Sequence, residues 1–298
     1  MSIGSAVIDR ILDGVDRLDA VGGAALNVAV GAQRLGIATS LIAVVQDDDA
    51  GRTIRSFLER EGVALARSAH TTRPTAVVES RRDGDGIEYR FSSDDPSGLL
   101  QLVDEHFAFV NQGHTVALSA ARFADDAGRV AALLDDAPGR VLYDPNPRRR
   151  GGDDALAHRR EIETLAPVMD LVKLSADDAD LLWGCSLDDA TAEILGLGAR
   201  AVLATHGAGG ASITTSAGST YASSQLSASE VVDPMGAGDA TLAAIGASIV
   251  RDGWPAATSE WTDRLHFAMA VAAYTCLHSG GATSMPRAEQ VNHAGARL

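Results

Sequence analysis

The segment Val231-Val232-Asp233-Pro234-Met235-Gly236-Ala237-Gly238-Asp239 carries the strongest chemical signal in the chain. It reads as a short extended run ending in a turn of small residues, after which an apolar helix begins. Glycines at 236 and 238 let the backbone bend and bring several N–H groups to one point. At a helix N-terminus such N–H groups and the helix dipole form an anion site. Charge that develops during a reaction would be stabilised there. Asp239 follows at once, placed to accept a hydroxyl proton. The same residues have a plainer reading, an Asp N-cap after a glycine turn. The generic physics leaves both readings open.

The elements that must position these groups alternate along the chain. Apolar β-type runs predict strands at Ile3–Ile8, Leu41–Val45, Thr115–Ser119, Arg140–Tyr143, Leu171–Leu174, Ala201–Ala204 and Ala211–Thr214. Helical patterns cover Ala25–Leu35, Gly51–Glu61, Ala124–Leu134, Ala155–Leu165, Ala176–Trp183, Asp188–Leu195, Ala240–Val250 and Asp263–Leu277. Short strands that are apolar throughout fit a parallel sheet covered by helices on both faces. The order predicts a doubly wound α/β fold with ligand sites beyond the carboxyl ends of the strands. One segment breaks the alternation. Thr75–Ser80 and Ile87–Ser92 flank Asp83-Gly84-Asp85-Gly86, a hairpin signal. Ile87, Tyr89 and Phe91 give the second run one apolar face. Such a hairpin either packs on the main core or covers a substrate cleft as a lid. No internal repeat and no dividing linker is visible.

Two strings together carry a family resemblance. Asp233 to Ala240, D-P-M-G-A-G-D-A, resembles the C-terminal signature of the ribokinase-like (PfkB) carbohydrate kinases, usually D-T-x-G-A-G-D. Gly22-Gly23-Ala24-Ala25-Leu26-Asn27-Val28-Ala29 resembles their N-terminal signature, G-G-x-x-x-N-x-A. Order and separation agree, and the similarity runs from Gly4 to about Pro286. The resemblance implies one kinase domain over residues 1–298. Its fold would be an α/β, ribokinase-like, Rossmann-type three-layer sandwich with a small β-sheet lid, built from segments at about 10–22 and 73–92. It implies ATP and Mg²⁺ as cofactors and admits a monovalent cation such as K⁺.

Site residues follow by position. Asp239 would be the base, with Gly236, Ala237 and Gly238 as the anion hole. Pro234 replaces the usual threonine and so removes an N–H and a hydroxyl. Asp9, expected at the end of the first strand, matches an acid that accepts two sugar hydroxyls. Gly22, Gly23 and Asn27 match sugar-contacting positions. Without the signatures, Asp9 would read as a solvated loop acid and Asn27 as a polar residue at a helix start.

Three further segments follow predicted strands. Lys173-Leu174-Ser175-Ala176-Asp177-Asp178 resembles the N-x-x-E segment that organises magnesium and phosphate, with Ser175 and Asp178 at the two named positions. Asp is shorter than Glu, so water would bridge Asp178 to Mg²⁺. The plainer reading is a capping box. Thr205-His206-Gly207-Ala208-Gly209-Gly210 resembles the nucleotide-binding T-x-G-x-x-G, giving Thr205, Gly207 and Gly210 to ATP with Lys173 and Ser175; His206 reads as a packing or surface residue. Asp144-Pro145-Asn146-Pro147-Arg148 resembles the D-x-N-x-R of fructokinases and 2-keto-3-deoxygluconate kinases. Arg148 would hold a phosphate or an acidic sugar end through its planar fork, whereas Arg149 and Arg150 read as solvated loop. The tail Ala272–Cys276 with Gly280-Gly281-Ala282 is similar to the nucleotide-side helix and loop of bacterial fructokinases, which points to fructose. Rival readings are a 2-keto-3-deoxygluconate kinase, a nucleoside kinase, and a catalytically silent sugar-binding regulator.

The totals narrow the rest. A formal net charge of −15 repels nucleic acid and anionic membranes; a small sugar and ATP are the partners that the resemblance implies. No apolar run is long enough to span a bilayer. The start, MSIGSAVIDRIL, lacks a signal-peptide pattern, so a cytoplasmic setting is expected. Cys185 and Cys276 show no metal-ligand spacing and read as buried free thiols. No early G-x-G-x-x-G follows the first strand, which disfavours a nicotinamide oxidoreductase. The hairpin's apolar face and strand edges predict a homodimer through the lid.

Overall fold

Apolar runs punctuated by glycine, proline and acidic turns build the following order: β1 (Ser2–Gly4), β2 (Val7–Asp13), β3 (Asp16–Gly22), α1 (Ala24–Arg34), β4 (Ser40–Ala43), α2 (Asp49–Glu61), β5 (Ala64–Arg67), β6 (Val77–Asp83), β7 (Gly86–Phe91), β8 (Thr115–Ser119), α3 (Ala127–Asp135) and β9 (Arg140–Asp144). There follow α4 (Ala155–Leu165), β10 (Leu171–Ser175), α5 (Ala176–Trp183), α6 (Leu187–Gly196), β11 (Ala201–Thr205), β12 (Ala211–Thr215), β13 (Gly218–Ala222), α7 (Ala237–Asp252), α8 (Thr258–Cys276), α9 (Gly281–Ser284) and α10 (Ala288–Ala294). The structure is a computed structural model that describes residues 1–13, 16–67, 74–83, 86–91, 100, 106, 110, 115–123, 127–147 and 155–294.

Nine strands form the main sheet in the order β13-β12-β11-β10-β9-β8-β1-β4-β5. It is parallel from β5 through β11, and β12 and β13 continue it antiparallel. Alternate residues of each strand face opposite layers. Val141, Tyr143 and Val172 pack with Ile162 and Leu165 of α4, Leu182 of α5 and Ile194 of α6. Leu142, Leu171 and Leu203 pack with Val28 of α1, Leu242 and Ile245 of α7 and Leu265 of α8. Helix, sheet and helix therefore form three layers. Each fully buried large apolar side chain contributes roughly 1.5–3 kcal/mol of transfer free energy.

The second sheet has four strands in the order β3-β2-β6-β7. Its two hairpins come from separate parts of the chain and join where β2 runs parallel to β6. The tip residues 84–85 of the predicted turn lie outside the described residues, as do the side chains of Ile87, Tyr89 and Phe91.

Several boundaries differ from the sequence expectations for identifiable reasons. The predicted strand Ile3–Ile8 is broken in two. At Gly4 (φ +146°) a Cβ would lie 1.9 Å from the Ser119 carbonyl oxygen, so the chain turns there. It leaves the main sheet and enters the second one, where Ile8 N–H donates to the Ala76 carbonyl (3.0 Å). Asp9 thus lies within β2 and not at the end of the first strand. Val231 and Val232 form no strand, because Val232 N–H goes to the Cys276 carbonyl (2.9 Å). Strands β5 and β13 were not predicted as strands; each sits at a sheet edge where the apolar signal is weak, whereas β3 lies in the expected lid segment at about 10–22. Both cysteines are half-buried rather than buried, and burial together with the Asp233 charge pushes the Cys276 thiol up. No helix among the described residues is long and apolar enough to cross a membrane.

Candidate active site

The register of the parallel strands sets their carboxyl ends side by side. Gly4 pairs with Ser119, Ser119 with Asp144, and Ser175 with Thr205. Tyr143 pairs with Val172, which sets Asp144 beside Lys173. The glycine turn before α7 reaches this rim from the next layer.

Asp239 lies in the first turn of α7, and Gly236, in the left-handed region (φ 82°), is the N-cap. The plain capping reading therefore does not hold for Asp239. Its carboxylate is buried and accepts a hydrogen bond at Oδ2 from Asn27 Nδ2 (2.7 Å), across 212 residues of chain. The helix dipole favours a negative charge at this point. First-turn amides have no intrahelical partner. Of the three expected to form an anion hole, Ala237 N–H is engaged within the turn by the Pro234 carbonyl (3.2 Å). That bond leaves Gly236 and Gly238 as the candidate amides for an anion.

Asn27 stands in the first turn of α1, whose start is tied down by Ser5: Ala24 N–H donates to Ser5 Oγ (3.0 Å) and Leu26 N–H to the Ser5 carbonyl (3.2 Å). Gly23 caps this helix at φ 104°, and a Cβ there would strike the Ser5 carbonyl oxygen at 2.7 Å. Gly22 makes room for Asp9, since a Cβ would lie 1.9 Å from Asp9 Oδ2. The N-terminal signature thus brings Asp9, Gly22, Gly23 and Asn27 together, with Asn27 reaching Asp239.

Lys173 is buried and paired with the fully buried Asp144, Nζ to Oδ2 at 2.9 Å. Burial alone would lower its pKa, but Asp144, Asp178 and Asp239 outweigh that, and the ammonium is held above its ordinary value. Ser175 and Asp178 form the complete capping box of α5. Ser175 Oγ accepts from Asp178 N–H (3.2 Å), and Asp178 Oδ2 accepts from Ser175 N–H (2.8 Å). Burial pushes the Asp178 carboxyl up, with Lys173 pulling it back. Thr205 Oγ1 donates to the Leu174 carbonyl at 3.3 Å. Beyond it Gly207 (φ 56°) and Gly210 (φ 107°) bend the chain, and a Cβ on Gly210 would lie 2.2 Å from the Ala222 carbonyl oxygen. His206 packs edge-on against Tyr221 and meets Ser212 Oγ (3.3 Å), a packing role as expected. Arg148, Arg149 and Arg150 lie outside the described residues. A cavity of about 520 Å³ at the other end of α1, lined by Arg34, Tyr274, His278 and Arg287, holds none of these residues.

Three residues outside the expected site set complete the arrangement. Asp233 staples the turn to the tail, accepting from Met235 N–H and Gly280 N–H (2.9 Å each). Gly281 lies against both signatures: a Cβ there would be 2.8 Å from the Asn27 amide, and one on Gly236 would be 3.2 Å from Gly281 Cα. The Gly280-Gly281 pair was the available signal. Asp144, visible only as the first letter of D-x-N-x-R, is the counter-ion of Lys173.

The described residues thus form a three-layer α/β sandwich with a separate small sheet, and a buried carboxylate stands at a glycine-turn helix start near the strand ends. Residues 1–288 match the pfkB family carbohydrate kinases. Fructokinases of Salmonella typhimurium and Klebsiella pneumoniae are 29% identical over 97% of each chain and 30% identical over 95% of each, respectively. The crystal structure of aminoimidazole riboside kinase from Salmonella enterica, complexed with aminoimidazole riboside and an ATP analog, superposes with a TM-score of 0.85 at 24% identity, covering 98% of both chains. The chain belongs to the pfkB family of carbohydrate kinases. It is accordingly a phosphotransferase acting on a sugar hydroxyl, with a ribokinase-like fold.

Proposed function

We propose that the protein transfers the γ-phosphoryl group of ATP to a primary hydroxyl of fructose. The observation that carries this reading is the buried Asn27–Asp239 contact, which joins the two signature segments into one site. Asn27 holds the Asp239 carboxylate in place, and that carboxylate takes the sugar's hydroxyl proton. As that proton moves, the sugar oxygen bonds to the γ-phosphorus, the bond to the bridging oxygen breaks, and ADP leaves. The Gly236 and Gly238 amides stabilise the charge on the transferring group. Asp9, with Gly22 and Gly23, orients the sugar, and Arg148 holds a phosphate through its planar fork. Ser175, Thr205, Gly207 and Gly210 line the nucleotide end of the strand rim. The small sheet, which carries Asp9 on β2, acts as a lid that excludes water.

The residues present fit Mg²⁺. Three carboxylates, Asp144, Asp178 and Asp239, surround a single ammonium, so the cluster carries negative charge that a divalent cation would offset. Among the described residues no three such side chains form a ligand cage, as suits an ion held by few carboxylates plus phosphate and water. Asp178 would hold it through water; bound Mg²⁺ neutralises the triphosphate. A monovalent cation such as K⁺ would act at the Asp233 loop. The setting is cytoplasmic.

Fructose is preferred on the D-x-N-x-R segment, the Cys276 tail and the names of the two relatives. The kcat/KM of purified protein for fructose, 2-keto-3-deoxygluconate, ribose and aminoimidazole riboside, read as ADP release, tests it. Fructose should rank first. A keto acid or riboside ranking first would overturn the choice of sugar and leave the kinase standing. Dimerisation through the small sheet is a further part of this reading, supported by Leu18 of β3, an exposed large apolar residue. A monomer by light scattering at micromolar concentration would contradict it.

A further inference from the structure

Lys173 is the only lysine in the chain, and it is spent in the interior. A solitary buried ammonium is costly, and removing either member of a buried ion pair costs more than the pair contributes. A purely structural position would be filled more safely by an apolar residue. The surroundings say what the ammonium is near. A Cβ placed on Gly238 would lie 3.0 Å from Lys173 Cε and 3.2 Å from Nζ. The ammonium therefore packs directly under the glycine turn, where a Cβ at 238 would crowd it. Asp144 holds it there. That carboxylate is wholly buried, its Oδ2 is 2.9 Å from Nζ, and its Oδ1 has no hydrogen-bond partner. The pair sits on adjacent parallel strands, so its geometry is set by the sheet and not by loops.

We propose that Asp144 is a positioning residue acting through Lys173: it fixes the ammonium beneath Gly238, where that charge meets the phosphoryl group in transfer. This rests on the kinase reading above and deepens it. Gly236 and Gly238 supply fixed dipoles, and Lys173 supplies a full charge at the same point. A preorganised charge aimed where negative charge develops acts on the transition state more than on the bound ground state. Its effect should fall on kcat rather than on the KM for ATP.

The test uses the full chain with Lys173→Met, Asp144→Asn and the double variant, each measured for melting temperature and for fructose-dependent ADP release. Each single change leaves one buried charge unpaired and should lower the melting temperature. The double variant removes both charges and should regain stability. If the pair serves only the fold, activity returns with stability in the double variant, and the proposal is overturned. If the pair serves transfer, the refolded double variant stays down in kcat by at least about 10²-fold, the loss typical of removing one anion-hole donor. Asp144→Asn should add nothing further to kcat once Lys173 is Met; a multiplied loss would show that Asp144 acts by another route and would also overturn it. The single lysine gives a second readout. Protein carrying ¹⁵N only in lysine has one Nζ resonance, which should shift when a non-hydrolysable ATP analogue is added. An unmoved resonance contradicts the contact. Wild-type turnover is measured first, so a silent wild type would sink the kinase reading itself, separately from the pair.

Discussion

At the residue scale, the fold separates two of the candidate acids. Asp178 completes a capping box, yet its carboxyl is buried beside Lys173. The roles are separable. Asp178→Asn keeps an oxygen for Ser175 N–H but loses the charge. Stability should fall by no more than the roughly 0.5–2 kcal/mol of a lost cap, while the Mg²⁺ concentration for half-maximal rate rises and kcat falls. An unchanged magnesium titration with unchanged kcat would leave capping as the whole function. Asp239 shows the reverse. Sequence spacing allowed it to be a cap, and the fold shows Gly236 capping instead. What the sequence could not show was Asn27 as its partner, because a contact across 212 residues depends on how α1 and α7 pack. The same holds for Asp144 and Lys173, which meet only once strand order is known.

At the scale of elements, the most legible pieces were those with uninterrupted apolar runs between clear breakers. Thr115–Ser119, Ala155–Leu165 and Ala176–Trp183 agree with expectation to the residue. The small sheet was only half legible from pattern. Its second hairpin carried a turn signal, but β2 joins β6 through long-range parallel pairing that no local pattern encodes. Gly4 carried no local signal either, since its need for φ +146° comes from the Ser119 carbonyl on a neighbouring strand. One cap links an element to this sheet. Asp48 caps α2 through Gly51 N–H (2.8 Å) and also accepts from Thr75 N–H (2.7 Å), just before β6. Burial pushes the Asp48 carboxyl up, but the Gly51 and Thr75 hydrogen bonds prevail and hold it below its ordinary value. A depressed carboxyl contributes stability above its unfolded pKa, about 3.9, and loses it as pH falls through the folded value. Asp48→Ala should therefore destabilise by about 0.5–2 kcal/mol at neutral pH. The gap from wild type should narrow as pH falls below about 4. A gap independent of pH in denaturant titrations would refute the charged form of this cap.

At the scale of the whole molecule, the chain carries a formal charge of −15 and yet must receive a polyanion. On the function proposed above the resolution is local: the buried Lys173 ammonium, the N-terminus of α7 and a divalent cation would together offset the field at one point on the strand rim. Both signatures, the tail loop and two adjacent strands converge there, on Asp239. The most direct test is Asp239→Asn in the full chain. Asn keeps its size and an oxygen for the Asn27 amide, but cannot serve as a carboxylate base. Fructose-dependent ADP release should fall by at least about 10²-fold in kcat, with melting temperature and sugar binding close to wild type. A folded Asp239→Asn protein with near-normal fructose-dependent ADP release would contradict the account.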